Sequence, residues 1–573
     1  MPVSKKSRGT SKAFLAAEKG TVRKDWGGKI RVALAYPNNY YVGMSNLGVH
    51  AVYRLLNDYQ DVVCERVFLP EDVGTTRGGI RSVESENPLS NFDIIAFSIS
   101  FENDYPNLLT LLTEAGIPRW SSERDTPHPL VIAGGVTAFL NPEPIAPFID
   151  CFLIGEAEPI LEAFLDVYRS HSDRKGLLKA LARNVPGAYV PALYDVTYGQ
   201  DGTISAFRPR DGVPEKVKRV VVEDLSPWDT SSTILTPHTT FRDTYLVEVG
   251  RGCPHGCRFC AAGFVYRPPR FRSIAALQKS LEKGAVESNR IGLMAAAVSD
   301  VPHIEALCQK ALDKKLELTF SSLRANRLTP QILRVLGQSG LKTVTIAPDA
   351  GSERMRRVIN KGITEKDVLT AADLLVRAGI PNLKVYFMVG LPTETTDDVE
   401  AVVALCKQIK HRFLKASRPA GKIGQISVSL NSFIPKPFTP FQWVPLEDVK
   451  VLKEKIKYVK DSLRRVANVD VHADVPKWAY IQTLLSRGDR RTAQLLAAAQ
   501  DNNGNWAKTL KASVINPDFY VYRERSTDEV LPWDFIDHGI KKAYLVEEYK
   551  KALQAKTSPA CDADRCRACG VCR

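Results

Sequence analysis

Apolar and polar positions alternate in a regular order from Ile30 to about residue 185. Short runs of branched and aromatic residues are separated by longer stretches with apolar residues at helical spacing, including one expected helix near Leu47–Tyr59. This order predicts a parallel sheet with crossover helices. The expected strands are IRVALAYP (30–37), VVCERVFLP (62–70), FDIIAFSIS (92–100), LVIAGG (130–135) and CFLIGE (151–156).

The pattern changes after residue 185. Residues 186–243 contain a predicted hairpin that turns at Asp201 and Gly202, followed by a connector rich in Pro, Ser and Thr. A second alternation begins at residue 244, and its six apolar runs predict a partial β/α barrel with its chemistry at the carboxyl ends of the strands. The six runs are TYLVEVGRG (244–252), RIGLMAAAVSD (290–300), LELTFSSLRAN (316–326), LKTVTIAPDAGS (341–352), LKVYFMVGLPTE (383–394) and QISVSLNSF (425–433).

The rest of the chain is expected to be mostly helical from its apolar spacing, and it ends in a cysteine-rich tail too short to form a core. The predicted fold class is therefore α/β, with a doubly wound Rossmann-like domain followed by a partial (β/α)6 barrel and a helical C-terminal region. The expected units are a basic arm (1–29), the α/β domain (30–185), the hairpin and linker (186–243), the barrel (244–445), the helical region (446–555) and the tail (556–573).

Composition narrows the class of protein. The 573 residues are 44% hydrophobic and 25% charged, which is typical of globular domains and argues against a disordered or fibrous chain. No apolar run approaches the roughly 18 residues needed to span a bilayer, and the N-terminal segment lacks the apolar stretch of a signal peptide. We therefore expect a cytoplasmic protein with no membrane partner.

The formal net charge of +14 raises the question of a polyanionic partner. Half of the excess lies in residues 1–31, which hold nine Lys and Arg residues against Glu18 and Asp25. A solvated basic arm is the favoured interpretation, and contact with nucleic acid is the alternative.

Seven of the eleven cysteines fall into two tight groups, Cys253, Cys257, Cys260 and Cys561, Cys566, Cys569, Cys572. In a chain without an export signal, such grouping indicates metal binding rather than disulfides. The other four, Cys64, Cys151, Cys308 and Cys406, are isolated and expected to be buried as small apolar residues.

The first group follows the first predicted barrel strand. Three cysteines at these spacings can hold a [4Fe-4S] cluster and leave one of its four irons without a protein ligand, so that iron can bind a substrate or cofactor. A closed zinc site is the alternative, but it needs a fourth ligand, and the nearby His255 lies inside the loop with poor geometry for joining the three thiols.

This C-x3-C-x2-C loop, with the aromatic Phe259 before the last cysteine, resembles the signature of radical S-adenosylmethionine (radical SAM) enzymes. The resemblance covers about residues 240–440. It implies that the amino and carboxylate groups of S-adenosylmethionine chelate the open iron. It also implies that an electron donor reduces the cluster and that reductive cleavage of the cofactor gives a 5′-deoxyadenosyl radical. The protein would then bind and orient the reactants and exclude water.

The same resemblance suggests further cofactor-binding residues. Radical SAM enzymes commonly end the second strand with a Gly-Gly-Glu-like segment that receives the amino group of S-adenosylmethionine. Here residues 295–300 replace that segment, so the resemblance implies that this role passes to backbone carbonyls or to Ser299 and Asp300. For each single residue the alternative is helix capping. The candidates, in addition to Phe259, are Ser299, Asp300, Ser322, Arg324, Asp349, Ser352 and Gly390.

The layout of the N-terminal domain resembles the cobalamin-binding domains that precede many radical SAM barrels. The similarity lies in the first strand, the turn at 98–103, Gly134-Gly135 and the segment 155–158 before a helix. The D-x-H-x-x-G motif that gives cobalt a histidine in some cobalamin proteins is absent, and the nearest string, Asp470-Val-His472, lacks the glycine. Either cobalamin binds without a protein histidine, or the domain keeps the fold without the cofactor.

The tail group C-x4-C-x2-C-x2-C fits an auxiliary [4Fe-4S] cluster or a zinc knuckle, and the softness of thiolates does not decide between them. As a whole the chain resembles radical SAM proteins with a cobalamin-type domain and a cysteine-rich tail. We expect an enzyme that modifies a substrate by radical chemistry, with methylation as its reaction where cobalamin binds. An RNA-modifying, sulfur-inserting enzyme and a non-catalytic iron–sulfur or cobalamin sensor are the alternatives.

Overall fold

The N-terminal domain is built on one six-stranded sheet. The computed structural model describes residues 11–70, 79–421 and 423–572. The strand order is β2-β1-β3-β4-β5-β6, parallel except for the last pair, as expected of a doubly wound α/β domain whose order reverses beside β1. The strands are β1 (Ile30–Tyr36), β2 (Val62–Phe68), β3 (Ile94–Ser98), β4 (Leu130–Gly134), β5 (Cys151–Leu153) and β6 (Ala188–Tyr189).

Helices cover both faces of this sheet because its strands are apolar almost throughout. The seven residues of β2 are all buried, as are five of the seven in β1. The expected helix near Leu47–Tyr59 is confirmed and begins after Asn46, whose side chain accepts a hydrogen bond from the Gly48 amide. The helices are α1 (Ser11–Ala17), α2 (Tyr40–Gly43), α3 (Leu47–Asp58), α4 (Tyr105–Glu114), α5 (Val136–Leu140), α6 (Ala157–Arg169) and α7 (Arg174–Asn184).

The expectation of a solvated N-terminal arm is wrong for Glu18 and Lys24, whereas Lys19 and Arg23 are exposed. Glu18 is ion-paired with Arg66 at 2.7 Å, and neither side chain is exposed. The Lys24 ammonium donates to three backbone carbonyls, among them those of Tyr59 at 2.7 Å and Val62 at 2.9 Å. The segment is held because these buried polar partners would otherwise lack hydrogen bonds. Lys5, Lys6 and Arg8 lie outside the described residues.

The linker contains the predicted hairpin, β7 (Tyr194–Tyr198) and β8 (Ile204–Pro209), and its turn includes Asp201 and Gly202 as expected. Gly202 has a φ of +81°, a conformation that glycine adopts without strain. A short strand β9 (Val217–Lys218) follows and pairs with a segment near the end of the chain.

The barrel has the six expected strands, arranged in two parallel ladders. The first three form β10-β13-β14 and the next three continue as β15-β16-β17. The six barrel strands are β10 (Tyr245–Glu248), β13 (Arg290–Met294), β14 (Glu317–Phe320), β15 (Thr343–Asp349), β16 (Asn382–Val389) and β17 (Ile426–Ser432). Two short strands, β11 (Gly250–Arg251) and β12 (Arg270–Phe271), form a separate antiparallel pair between β10 and β13 in the sequence. The helices are α8 (Ala262–Val265), α9 (Ile274–Glu287), α10 (Ile304–Asp313), α11 (Pro330–Gln338), α12 (Glu353–Val358), α13 (Glu365–Arg377) and α14 (Thr396–Ser417).

Residues 446–555 are mostly helical, but they also hold a strand that the sequence pattern did not predict. This strand, β18 (Val469–Ala473), pairs in parallel with β17 and extends the second barrel ladder. It contains Asp470 and His472. The remaining elements are α15 (Val449–Leu463), α16 (Pro476–Arg487), α17 (Thr492–Asp501), α18 (Trp506–Ala512), α19 (Asp518–Val521), β19 (Ile536–Asp537) and α20 (Lys542–Leu553).

Among the helices of the described residues, none combines the length and the apolar character required to cross a bilayer.

Candidate functional site

The three barrel cysteines lie on one loop, residues 252–269, which we call the cysteine loop. It leaves the barrel after β10 and is bounded by the antiparallel pair β11 and β12, in which Arg251 lies opposite Arg270. Gly252 opens the loop with a φ of +81°, and a Cβ there would lie 2.6 Å from the carbonyl oxygen of Tyr266. The backbone therefore closes on itself at the base of the loop, where a larger residue would not fit.

The three loop cysteines are all shielded from solvent, though to different degrees. Cys257 is buried, and Cys253 and Cys260 are partly buried. Burial, together with the nearby Cys257 and Cys260, raises the pKa of the Cys253 thiol to about 12. A bound metal would reverse this effect, because a coordinating thiol is deprotonated.

The described cysteines are not gathered as the ligands of a single ion would be. Within the described part of the chain, no group of three or more Cys, His, Asp or Glu side chains has the arrangement of a single-ion site. A cluster of four irons makes a different demand, because each thiolate binds its own iron and the thiols therefore surround the cluster. Three thiols on one loop fit that requirement.

Glu156, a buried residue of the α/β domain, binds both arginines at the base of the cysteine loop. Glu156, just before α6, accepts hydrogen bonds from Arg270 at 2.6 and 2.9 Å and from Arg251 at 3.1 Å. Burial alone would raise the pKa of Glu156, but the hydrogen bonds from Arg270 and the charges of both arginines lower it below its usual value. Glu156 thus joins the two domains at the loop that carries the cysteines.

Asp300 and His255 meet at the mouth of the barrel. His255, within the cysteine loop, lies 3.1 Å from Oδ1 of Asp300, and the Arg327 guanidinium lies 3.4 Å from the same oxygen. The other oxygen of Asp300 is buried without a hydrogen-bond partner. A buried carboxylate oxygen without a partner beside the cysteines fits the amino group that the sequence analysis assigned to this segment. Asp300 is therefore suited to hold S-adenosylmethionine.

Ser299, Ser322 and Arg324 tie the second and third strand ends together. The Ser299 hydroxyl accepts from the Arg324 amide at 3.2 Å. The Ser322 hydroxyl donates to the Ala295 carbonyl at 3.1 Å and accepts from the Val298 amide at 3.2 Å. The Arg324 guanidinium donates to the Lys361 carbonyl at 2.6 Å, and its charge lowers the pKa of Cys257 against the larger, opposite effect of burial. These residues shape the rim around the cysteines.

Asp349 ends β15 with a φ of +63° and forms an ion pair with Lys361 at 2.5 Å. Lys361 is a residue that sequence reasoning missed, and its positive charge acts on both Cys257 and Cys260. No sequence signal pointed to it, since it follows α12 in a loop without a motif. Phe259 packs against a small apolar cluster on the same side, which includes Met355.

Ser352 and Gly390 make contacts that support the fold. Ser352 caps α12 by accepting from the Met355 amide at 3.0 Å, and its hydroxyl donates to Asp398 at 2.5 Å. The Gly390 amide donates to Glu394 at 2.8 Å. Gly390 has a φ of +81°, so the turn after β16 favours glycine for conformational reasons.

A cavity of about 570 Å³ joins the barrel mouth to the α/β domain. Its barrel side includes Gly252, Ala262, Ala295 and Ser321, on and beside the cysteine loop. Its other side runs past the turn at 98–100 and Gly134-Gly135, where the parallel strands end, and continues as an apolar slot between the sheet and two helices. The slot is lined by Leu34, Ala96, Ile132, Ala51, Leu55, Leu161 and Phe164.

Charged groups stand where the two parts of the cavity meet. Arg251 donates to Glu248 at 2.8 and 3.0 Å and to Glu158, and all three residues line the cavity. Burial would lower the pKa of Arg251, but the charges and hydrogen bonds of these two carboxylates raise it well above its usual value. Arg251 therefore stays charged within a mostly apolar cavity.

The tail lies against the outside of the cysteine loop. The Cys561 amide donates to the carbonyl of Pro254 at 2.6 Å, and the Lys541 amide donates to the carbonyl of Cys569 at 2.9 Å. Cys569 is buried, and Cys561, Cys566 and Cys572 are partly buried. The two cysteine groups, 300 residues apart in sequence, are neighbours in space.

The fold and this loop define a class of protein, a β/α-barrel enzyme with a cysteine-bound cluster at the mouth of its barrel and an α/β domain facing that mouth. Family models agree: "Radical SAM proteins, N-terminal" matches residues 48–191, and "Radical SAM superfamily" matches residues 247–406. The chain belongs to the radical SAM superfamily, and a [4Fe-4S] cluster and S-adenosylmethionine are the cofactors that this family implies.

Three relatives span different parts of the chain. An uncharacterized protein of Methanocaldococcus jannaschii is 32% identical over 81% of this chain and 90% of its own length. An uncharacterized methyltransferase of Pyrococcus horikoshii is 23% identical over 49% of this chain and 58% of its own length. A tRNA-2-methylthio-N(6)-dimethylallyladenosine synthase of Sulfurihydrogenibium sp. is 26% identical over 42% of this chain and 56% of its own length.

Among solved structures, the chain is similar to the cobalamin-dependent S-adenosylmethionine radical enzyme OxsB with aqua-cobalamin and S-adenosylmethionine bound. The TM-score is 0.45 at 13% identity, over 92% of this chain and 79% of that one.

Proposed function

We propose that this radical SAM enzyme is cobalamin-dependent and methylates its substrate. The observation that carries the proposal is the continuous cavity that runs from the cysteine loop to the apolar slot of the α/β domain. When bound, cobalamin supplies a methyl carrier next to the radical generated at the cluster. The relative named as a methyltransferase supports the reaction class.

The residues of the slot fit such a group. Leu34, Ala96 and Ile132 on the sheet face Ala51 and Leu55 on α3, so the walls are apolar and the two alanines leave the space open. The polar groups of the cavity, among them Ser98 and Ser100, are placed where the strands end and can orient the polar rim of a large cofactor. The chain would thus hold the cofactor by its apolar part and position the polar part toward the barrel.

The described residues that line the cavity include no histidine. His50 lies nearby in α3, but its Nε2 is bonded to the Met44 carbonyl at 3.0 Å, and burial lowers the pKa of its ring to about 4. We therefore expect cobalamin to bind with no protein imidazole on cobalt.

The test is cobalamin retention after anaerobic loading with hydroxocobalamin and gel filtration, read from the visible spectrum. Ala51→Phe fills the slot, and we expect it to retain at least tenfold less cobalamin than the wild type. Ala404→Phe places the same side chain on the exposed face of α14 and serves as the matched control.

Equal retention by Ala51→Phe and the wild type would show that the slot is not the site. Electron paramagnetic resonance of the reduced cobalt in the wild type provides a second reading. We expect no nitrogen splitting from a protein ligand, and a clear axial histidine signal would contradict the proposed binding mode.

A further inference from the structure

We infer that Cys561, Cys566, Cys569 and Cys572 hold a second [4Fe-4S] cluster that passes electrons to the cluster on the cysteine loop. The inference concerns the supply of electrons to the radical SAM reaction and is independent of whether the enzyme uses cobalamin. It assigns the tail a redox role, in place of a structural zinc site or a source of sulfur for the substrate.

One backbone hydrogen bond joins the tail at Cys561 to the cysteine loop at Pro254. Cys253 is bonded covalently to Pro254, and the Pro254 carbonyl accepts from the Cys561 amide at 2.6 Å. A path of a few covalent bonds and this hydrogen bond therefore runs from the first ligand of one group to the first ligand of the other. Electron transfer requires the two clusters to lie close together, whereas a structural metal site in the tail would not need to lie near the cysteine loop.

Further contacts hold the tail against this side of the loop. The Asn360 side chain donates to the Gly256 carbonyl at 3.1 Å and accepts from the Ser558 amide at 2.9 Å, so it bridges the loop and the start of the tail. The Arg258 guanidinium donates to Glu548 in α20 and to the Lys556 carbonyl at 2.9 Å. The tail is therefore positioned by buried polar contacts rather than by chance proximity.

One guanidinium lies between the two groups. Arg267 donates to the Gly263 carbonyl at 2.7 Å, just after Cys260, and it stacks over the rings of Phe264 and Tyr544 at 4.6 and 5.2 Å. The same guanidinium also lies beside the Cys569 thiol of the tail. A fixed positive charge between two sets of thiolates favours the added electron on either cluster.

The position of the tail argues against a role in sulfur insertion. Gly252, Ala262 and Tyr266 of the cysteine loop line the cavity, whereas no described residue of the tail does. A cluster that donates sulfur must reach the substrate. A cluster that donates electrons needs only to reach the first cluster and the surface, and three of the tail cysteines are partly exposed.

The electron balance is simple. A one-electron protein reductant of the flavodoxin or ferredoxin class reduces the tail cluster, which passes that electron to the loop cluster and returns to its oxidised state. The loop cluster passes the electron to the sulfonium of S-adenosylmethionine, whose C–S bond breaks to give methionine and the 5′-deoxyadenosyl radical. Each cleavage of S-adenosylmethionine thus consumes one electron from the external reductant.

The experiment compares two reductants on the full-length protein. The variant Cys566→Ala/Cys569→Ala should lose ~4 iron atoms per chain. We expect its rate of 5′-deoxyadenosine formation with reduced flavodoxin, divided by its rate with dithionite, to fall at least tenfold. Dithionite is small enough to reduce the loop cluster directly. Cys406→Ala, a buried cysteine of α14 outside both groups, is the matched control and should keep the wild-type ratio.

Three results would overturn the inference: zinc in place of iron in the tail of the wild type, an unchanged ratio in the variant, or tail sulfur recovered in the product. A measurement on the wild type guards against misfolding of the variant. Two reduced clusters this close should show mutual broadening in electron paramagnetic resonance, and two independent signals without broadening would contradict the proposed relay.

Discussion

Arg258 of the cysteine loop and Glu548 of α20 form an ion pair with a nitrogen–oxygen distance of 3.0 Å, and their side chains are 0% and 3% exposed. Burial lowers the pKa of Arg258, and it would raise that of Glu548. Hydrogen bonds from Ser558 and Lys551 and the charge of Arg258 outweigh this effect and lower the pKa of Glu548. The pair fixes the loop to the last helix.

Removing one partner of this pair should therefore be costly. We expect Arg258→Met to lower the free energy of unfolding by about 3–5 kcal/mol, because the buried Glu548 would lose its fully buried cationic partner and keep only the more exposed Lys551. Chemical denaturation at pH 7.5 measures the change. Arg290→Met removes the exposed partner of Glu317 and should cost no more than ~1 kcal/mol. A similar loss in both variants would refute this account.

The loop cysteines should be required for cleavage of S-adenosylmethionine. Replacing Cys253, Cys257 or Cys260 with Ala removes one of the three thiolates that leave an open iron, and we expect 5′-deoxyadenosine formation under a strong reductant to disappear. Chromatography of the quenched reaction detects the product. Cys308→Ala, in the buried face of α10, should retain activity. Product formation at the wild-type level in all three loop variants would exclude the assigned cluster site.

Glu156 should act as a positioning residue for the cysteine loop. Glu156→Gln preserves the shape but removes the charge that pairs with Arg251 and Arg270, and we expect it to destabilise the protein by about 3–5 kcal/mol. The matched control, Glu282→Gln, disrupts an exposed pair with Lys310 and should change stability by less than ~1 kcal/mol. Thermal unfolding of the two variants side by side tests this prediction, which fails if Glu156→Gln is as stable as the control.

Stability should depend on the protonation of Asp104, beside the turn after β3. Burial raises the pKa of Asp104 to about 6, against the hydrogen bond from Asn38. Because the folded-state pKa lies above the usual 3.8, the folded protein binds this proton more tightly. Its contribution to stability is therefore complete below pH 3.8 and is lost as the pH rises to about 6.

A shift of this size corresponds to about 3 kcal/mol. Asp104→Asn should remove this component, so we expect the variant to gain stability relative to the wild type at pH 7.5 and to lose that advantage near pH 4. Urea unfolding at several pH values measures the difference. A constant difference between the two proteins across this range would contradict the assignment.

Lys24 should stabilise the N-terminal segment rather than contact nucleic acid. Its ammonium donates to three backbone carbonyls, so Lys24→Met should destabilise the protein by about 1–3 kcal/mol. The exposed Lys12 of α1 provides the control, since Lys12→Met should be close to neutral. Equal unfolding midpoints for the two variants would show that Lys24 is not structurally engaged.

The predicted fold was accurate where apolar runs were long and bounded by turn residues. Strands β1 to β5 and the six barrel strands follow such runs, since a strand buried on both faces must be apolar throughout. Strand β6 has only two residues and lies in the segment that was expected to be hairpin and linker. The strand β18 was not predicted because only five residues form it and its alternate positions, Asp470 and His472, are polar and exposed. Pairing with β17, a contact between distant segments, makes it a strand.

The candidate site was predictable only where a motif marked it. The loop cysteines follow a spacing that can be read directly, whereas Glu156 and Lys361 reach the loop from elements that have no local sign of that role. Ser352 illustrates the opposite case, since a hydroxyl before a helix is equally suited to capping, and here it caps α12. Which chemistry a polar side chain performs depends on neighbours that the sequence does not place.

The ion pairs of Glu156 limit the ways in which ligands can reach the cavity between the barrel and the α/β domain. If the α/β domain moved away from the barrel, Arg251 and Arg270 would lose the counter-ion that they share while still poorly hydrated. Such a motion would cost several kcal/mol of free energy by the order of magnitude known for broken buried ion pairs. We therefore expect ligands to reach the cavity by side-chain and loop rearrangements that are faster and smaller than a hinge motion. The two halves of the reaction centre would then keep a constant separation from one turnover to the next.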